Sequence, residues 1–463
     1  MNNLTDIPII KLIVIEDKYY LYDTFTNKIL HISKNHYNEI IKLCSIGLTE
    51  YKNLNLSHES YKDIMSLINK GYLKSSFINK IEHPYTKYLP ILTQRCLSTL
   101  VLQVTRNCNF KCRYCLYATD NTVERNHEKA SMSLDLAKKS IDYFFDHSMD
   151  SKEVNIVFYG GEPLLNFKLI RDIVNYCEEI FQSKRVIYYI TINGSLLNDE
   201  IINFFAKNKF NLSISLDGPP EIQNMHRRFL NNGGDTFDKV YGNVQRIRSL
   251  HNWYFNEYVT FLPVVFGDEI QEVFSFFESQ DIPLSKVQMK YANTNGVDYW
   301  TDIYHLKNHS GISNLKNLYH PQTINYSMHE KALDTPSVYN EFWHHSGPCV
   351  PGVWRLFVDI YGNFYPCEKC VENSCYRIGN IHSGIDMEIS RRFLNVGKIS
   401  EDNCKKCWAI KFCNICIEKC GNIETNSICS LQKQIVCQEI KKRSFDFLKQ
   451  YIQKQSNREM CNE

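Results

Sequence analysis

Cys108, Cys112 and Cys115 stand in the run Cys108-Asn109-Phe110-Lys111-Cys112-Arg113-Tyr114-Cys115, a CxxxCxxC with an aromatic residue just before the last thiol. Thiolates are soft ligands that suit zinc and iron–sulfur clusters alike. Three on one tight loop can hold three irons of a 4Fe–4S cluster and leave the fourth without a protein ligand. A structural zinc site wants a fourth ligand and favours paired CxxC spacing. The spacing therefore points to a cluster with one open iron. Of the 18 cysteines, eleven more fall between Cys349 and Cys437, and only Cys44, Cys96, Cys177 and Cys461 stand alone and read as ordinary thiols.

The elements that must position these thiols follow from periodicity. At 463 residues, with 43% hydrophobic and 22% charged residues, the chain is globular and long enough for two or three domains. A net charge of +2 argues against a nucleic-acid footprint. The first twenty residues lack the basic start and small-residue cleavage site of a signal peptide. No apolar run reaches the roughly 18 to 20 residues of a spanning helix. A cytoplasmic protein with reduced thiols is expected, so metal or catalysis explains the cysteines better than disulfides.

Residues 1–80 read as three short strands (Ile9 to Ile15, Tyr19 to Tyr22, Lys28 to Ile32) and two helices, around Tyr37 to Cys44 and Tyr61 to Ile68. This resembles the winged-helix-like domain that binds a leader peptide by adding it to a sheet edge. From residue 98 the pattern becomes strand–helix units. Strands are predicted at Leu100–Val104, Val154–Phe158, Val186–Ile192, Leu212–Leu216, Tyr258–Val265 and Val287–Tyr291. Helices fall between them, one from Ser133 with Leu134, Ala137, Ile141 and Phe144 on a face, others at Phe237–Leu250 and Ile270–Phe277. Six βα units predict an α/β fold, a partial (β/α)6 TIM-like barrel over 98–330, with the cysteine loop at the C-terminal strand ends where barrel sites sit. Residues 294–345 break this rhythm. His305 and His309 are spaced for one helix face, but no acidic partner or third ligand is near, and no catalytic role is assigned there.

Gly160-Gly161-Glu162-Pro163-Leu164 follows the second of these strands and opens a helix. Glycines there let backbone groups approach a ligand closely. A CxxxCxxC loop followed at the next strand end by GGEP resembles the radical S-adenosylmethionine enzymes. The resemblance implies that S-adenosylmethionine chelates the open iron, with Gly160, Gly161, Glu162 and Pro163 at its methionyl amino group. It implies further cofactor contacts from Asn193 and Ser215 at the next strand ends. Arg227 would bind the carboxylate, a task that suits a guanidinium fork, although Arg228 beside it leaves the register open.

Cys349, Gly362 and Cys367, then Cys404-x2-Cys407-x5-Cys413-x2-Cys416, then Cys437, resemble the SPASM domain, expected over 345–440 with a C-terminal helix and tail at 441–463. The family pattern has three residues, not two, before the residue matching Cys416. The resemblance implies two auxiliary 4Fe–4S clusters, three clusters in all. Cys349, Cys367 and Cys416 would hold the first, with Cys370, Cys375 or an open iron in fourth place. Cys404, Cys407, Cys413 and Cys437 would hold the second, with Cys420 and Cys429 as competitors for the last position. A zinc ribbon of Cys367/Cys370 and Cys404/Cys407 is the alternative.

The chemistry so implied is reductive cleavage of S-adenosylmethionine to methionine and a 5′-deoxyadenosyl radical, which takes a hydrogen atom from an unactivated carbon of a bound peptide. Arg355 to Asp359, Phe364 to Lys369 and the Cys407-Trp408-Ala409 run resemble thioether-forming maturases of cysteine-rich ribosomal peptides, the SCIFF, ranthipeptide and sactipeptide kind. Glu368 falls where sulfatase-maturing relatives carry a substrate-deprotonating acid. The expected partners are a cysteine-rich precursor peptide, bound through its leader, and a flavodoxin- or ferredoxin-like electron donor, with no nucleic acid and no membrane. The alternatives are carbon–carbon crosslinking, epimerisation, formylglycine formation, or a non-catalytic leader-peptide or zinc-binding protein.

Overall fold

The computed structural model describes residues 6–115, 129–267, 269–293, 296–299, 342–343, 350–370, 373–422 and 427–460. The histidines at 305, 309, 320, 329, 344 and 345, with Cys349 and Cys461, lie outside them. The chain forms two compact units, one from Tyr88–Ser313 with Cys349–Ser390, the other from Met1–Lys87, Asn314–Pro348 and Arg391–Glu463.

The first unit is a partial α/β barrel. Thr99–Thr105, Glu153–Gly160, Arg185–Ile192, Asn211–Ile214 and Val259–Phe261 lie side by side in that order, all parallel. Leu100, Leu102, Ile156, Phe158, Ile190, Leu212 and Ile214, alternate residues that share one face along each strand, are buried. Helices return the chain between strands. Ser133 caps Leu134–Asp146 by accepting from Leu136 N at 3.2 Å, and Asn198 caps Asp199–Lys207 through Ile201 N at 2.9 Å. Ala137, Ile141 and Phe144 face the core as expected, but Leu134, at the first turn, is exposed.

Two elements differ from the sequence expectation. The fifth strand breaks into Val259–Phe261 and Val264–Phe266, because Pro263 has no N–H to continue the ladder. The sixth starts later than expected, at Lys290–Asn293, and pairs in parallel with Val264–Phe266 in a separate three-stranded sheet. On the opposite edge Arg355–Val358 and Asn363–Tyr365 form an antiparallel hairpin. Its first strand also joins the barrel sheet, parallel to Thr99–Thr105, a long-range pairing that local periodicity does not encode.

The second unit holds an antiparallel sheet of Ile10–Ile15, Lys18–Asp23 and Lys28–Ile32, with Lys18–Asp23 in the middle. Glu16 and Asp17, both at positive φ, make its first turn. Helices Lys34–Ile46, Leu48–Asn53 and Glu59–Asn69 follow, the middle one in addition to the two expected. Leu21, Ile32, Ile40, Leu43, Tyr51 and Ile64 fill one sheet face. Ile13, Tyr20 and Tyr22 on the other pack against Phe412, Phe447, Leu448 and Ile452. The closing helix runs Ser430–Met460, so Cys437 lies inside it and not before its start.

Candidate radical and metal centre

The cysteine loop leaves the end of Thr99–Thr105 and is held on four sides. Phe110–Cys112 pairs antiparallel with Arg227–Phe229, Cys112 opposite Arg227. Behind it the Gly160–Gly161 turn zips to the backbone that leads into Cys108: Gly161 N donates to Thr105 O at 3.0 Å and Glu162 N to Asn107 O at 2.8 Å. A Cβ on Gly160 would stand 2.2 Å from Thr105 O, and one on Gly161 2.4 Å from Asn107 O. The glycines therefore serve the packing of loop on loop.

Glu162 is fully buried, and both carboxylate oxygens are used within the protein. Oε1 accepts from Leu164 N at 3.1 Å and Oε2 from Asn193 N at 2.6 Å. Burial pushes its carboxyl up to about 7, against the pull of those two N–H donors. Pro163, also buried, opens the short turn Pro163–Asn166. From Asn193 the brace continues back to the cysteine loop. Asn193 Nδ2 donates to Asn109 Oδ1 at 2.8 Å, Asn109 Nδ2 to Ser195 Oγ at 2.9 Å, and Ser195 Oγ to Asn193 Oδ1 at 2.7 Å. The three side chains close a ring.

Asp217 anchors the remaining side. Arg227 forks onto it, Nε to Oδ2 at 2.9 Å and Nη2 to Oδ1 at 3.0 Å. Tyr114 OH donates to Oδ2 at 2.7 Å and Val264 N to Oδ1 at 2.9 Å. The free end of the guanidinium, Nη1, lies 3.9 Å from Cys112 Sγ. Arg228 is exposed and pairs with Asp235, so of the two arginines Arg227 faces the cysteine loop. Ser215 sits half-buried just past Asn211–Ile214, its hydroxyl without a hydrogen bond among the described residues.

The thiols fit an anionic cluster. Burial pushes Cys108 far up, and Cys112 and Cys115 add to it through their charge. Burial pushes Cys112 up to about 12 while the Arg227 guanidinium works the other way, and Cys115 repels it. Each thiol is thus within electrostatic reach of the other two, and a bound metal would draw off their protons. Phe110 N points at Cys108 Sγ from 3.4 Å.

A second set of thiols meets in the other unit. Cys404 lies in Glu401–Lys405, Cys407 and Cys413 flank the turn Ile410–Phe412, and Cys437 projects from the closing helix. After burial, the charges of these same four cysteines act on one another in every pairing. Cys416 precedes the turn Ile417–Cys420; Cys420 is buried behind it, and Cys429 N donates to Cys420 O at 3.1 Å. In the barrel unit, Cys367 Sγ and Cys370 Sγ are 3.9 Å apart, and Cys375 lies in the turn Ser374–Tyr376. Glu368 is half-buried and paired with Arg355 Nη2 at 2.8 Å. Among the described residues no three His, Cys, Asp or Glu side chains converge on a single metal ion. A cluster does not ask this of them, since each thiolate caps a different iron.

Residues 102–278 match the sequence profile of the Radical SAM superfamily. They form a radical SAM domain. An uncharacterised protein of Methanocaldococcus jannaschii is 36% identical over 143 residues, 31% of this chain and 46% of that protein. A cysteine-type anaerobic sulfatase-maturating enzyme of Clostridium perfringens (strain 13 / Type A) is 25% identical over 378 residues, 74% of this chain and 94% of that enzyme. The radical SAM cyclopropyl synthase TigE of Paramaledivibacter caminithermalis is 21% identical over 451 residues, 85% of this chain and 89% of TigE. Against the first of these relatives, and against a Clostridium novyi (strain NT) sulfatase-maturating enzyme of which it covers 49%, the chain spans about half the relative's length. The solved structure of native anSMEcpe with bound AdoMet shares the fold, with TM-score 0.52 and 22% identity over 78% of this chain and 99% of that one.

Within the radical SAM domain, sequence reasoning found the thiols and the strand-end motif but missed Asn109, Tyr114, Ser195 and Asp217. Asn109 and Tyr114 stand inside the cysteine motif, and Asp217 in the strand-end turn Asp217-Gly218-Pro219. Polar side chains at successive strand ends were the signal available, since in a barrel those ends meet.

Proposed function

We propose that the protein is a radical S-adenosylmethionine enzyme that matures a cysteine-rich precursor peptide by linking cysteine sulfur to carbon. The observation that carries an enzyme with more than one cluster is the second set of four mutually close thiols, Cys404, Cys407, Cys413 and Cys437. A cluster on Cys108, Cys112 and Cys115 with S-adenosylmethionine on its open iron supplies one-electron cleavage and hydrogen-atom abstraction from an unactivated carbon. The chain's own residues hold and shield that centre. The Asn109–Asn193–Ser195 ring and the Asp217–Arg227–Tyr114 group fix the loop. Phe110 and Phe229, opposite each other in the strand pairing, meet edge to face at 5.0 Å. Ser215 offers a hydroxyl to the cofactor. Cys367 and Cys370, whose sulfurs lie 3.9 Å apart, belong in this reading to a first auxiliary cluster, for which the SPASM resemblance also implies Cys349, outside the described residues.

Sulfur–carbon bond formation requires the substrate thiol to give up its proton, for which Glu368 beside Arg355 is the proposed acceptor, and requires one further electron to leave the joined product, which an auxiliary cluster would take up. Support for the thioether product comes from the resemblance of the Arg355 to Lys369 and Cys407 to Ala409 runs to thioether maturases. Formylglycine formation is the second reading, favoured by the likeness to sulfatase-maturating enzymes over 74% of the chain. Binding of a leader at the N-terminal three-stranded sheet and delivery of electrons by a small redox protein complete the proposal.

The test is mass spectrometry of a co-expressed cysteine-rich peptide. A thioether removes a pair of hydrogens and one alkylatable thiol per link. Formylglycine replaces the thiol with an aldehyde that hydrazides capture, a carbon–carbon link spares the thiol, and epimerisation leaves the mass unchanged. Aldehyde, or a full count of thiols in the product, would rule out the thioether.

A further inference from the structure

Lys433 lies in the first turns of Ser430–Met460 and is fully buried. Its ammonium donates to Ser400 Oγ at 2.6 Å, Gly397 O at 3.3 Å and Cys404 Sγ at 3.2 Å. No carboxylate lies within ion-pair reach of it among the described residues. A buried ammonium with no carboxylate beside it is costly for a fold to carry. Two of its acceptors are neutral. The third is a thiol, and it becomes the missing anion when Cys404 is a metal-bound thiolate.

Helical spacing extends the pattern. Residues four apart share a face, so Lys433, Cys437 and Lys441 line one side of the closing helix. The charges of Lys433 and Lys441 both act on Cys437, and that of Lys441 also acts on Cys407. Three of the four thiols are thereby faced by lysine from a single helix.

We propose that Lys433 is the fixed counter-charge of the centre held by Cys404, Cys407, Cys413 and Cys437, and that it raises the reduction potential of that centre. The inference rests on the reading of those thiols as cluster ligands. A cluster with four thiolates gains one more negative charge on reduction, and a cation 3.2 Å from a ligand sulfur favours the more negative state. Lys433 is a positioning and tuning residue and touches no substrate.

The experiment is an EPR-monitored potentiometric titration of the full chain, reconstituted anaerobically, in a Cys108/Cys112/Cys115→Ala background that removes the first cluster's signal. Lys433→Gln keeps a donor for Gly397 O but no charge, and Lys433→Arg keeps the charge. The expected result is unchanged iron content, a midpoint displaced to more negative potential in Lys433→Gln, and a midpoint near the parent's in Lys433→Arg. Loss of that cluster's iron in Lys433→Gln alone would also support the counter-charge. An iron-replete Lys433→Gln with the parent's midpoint would overturn the proposal, as would equal loss of iron in both variants, which would mean a packing role. Iron content that a Cys404/Cys407→Ala change leaves untouched would instead bring down the cluster reading, and this inference with it.

Discussion

Glu162 is the residue at which burial and hydrogen bonding oppose each other most directly. Its carboxyl stands at about 7 in the fold against an ordinary 4.5, so the folded chain holds a proton that the unfolded chain has lost. The sign follows: stability is greatest below about 4.5 and declines as the pH climbs from there to about 7, by roughly 3 kcal/mol in all. Glu162→Gln abolishes that slope but turns an N–H donor toward Leu164 N or Asn193 N, at a cost of about 1–3 kcal/mol. Thermal midpoints of the two proteins should therefore differ most near pH 5, wild type higher, and converge by pH 8. Parallel curves would mean that Glu162 is ionised throughout. Asn193→Ala opens the Asn109–Asn193–Ser195 ring with a similar expected penalty. Iron analysis should show iron partly lost from the Cys108/Cys112/Cys115 site in this variant, and any iron held by Cys404, Cys407, Cys413 and Cys437 retained.

Among elements, the junction of the cysteine loop with the Gly160–Gly161 turn leaves no room for a Cβ. Gly161 does not lie at positive φ, so Gly161→Ala meets no backbone penalty and acts purely by sterics, against Asn107 O at 2.4 Å. A contact that close involves backbone on both sides and cannot relax by a rotamer change. The variant should bind S-adenosylmethionine at least tenfold more weakly by equilibrium dialysis, with the Thr99–Thr105 strand still protected from exchange. Wild-type affinity would show the junction to be slack. The strands of this sheet were legible because each is a short apolar run followed by a helical period, and Phe237–Leu250 matches its expected bounds. What local pattern could not reveal was the partner of a strand. The Arg355–Val358 hairpin reads identically whether it stands alone or extends the barrel beside Thr99–Thr105. Pro263 was visible, yet its effect, a split of the fifth strand between two sheets, depends on which neighbour needs its missing N–H. The Cys108, Cys112 and Cys115 triplet stands out in the sequence by its spacing, whereas the polar brace does not, since Asn109, Ser195 and Asp217 belong to different strand ends.

At the scale of the molecule, the unit that contains the N-terminal sheet is built on the C-terminal cysteine stretch. Thr24 Oγ1 donates to Trp408 O at 3.1 Å and Lys411 Nζ to Phe25 O at 3.0 Å. Tyr22 meets Phe412 at 5.3 Å, and Lys11 lies over Trp408 and Phe445 at 5.4 and 4.7 Å. All these partners except Phe445 lie between Cys407 and Cys413, whose loop a metal centre would hold in shape, and binding of such a centre is folding free energy for what packs on it. Loss of the centre should therefore loosen the sheet. In a Cys404/Cys407→Ser variant, amides of the Lys18–Asp23 and Lys28–Ile32 hairpin should exchange roughly tenfold faster or more, about 1.4 kcal/mol of local opening. The barrel strands Thr99–Thr105 and Arg185–Ile192 belong to the other unit and should keep their protection. Cys108/Cys112/Cys115→Ala should give the complementary map, with the hairpin undisturbed. If the hairpin exchanges at wild-type rates in both variants, the sheet stands without help from the cysteines. A leader peptide bound there would then sense nothing of the metal.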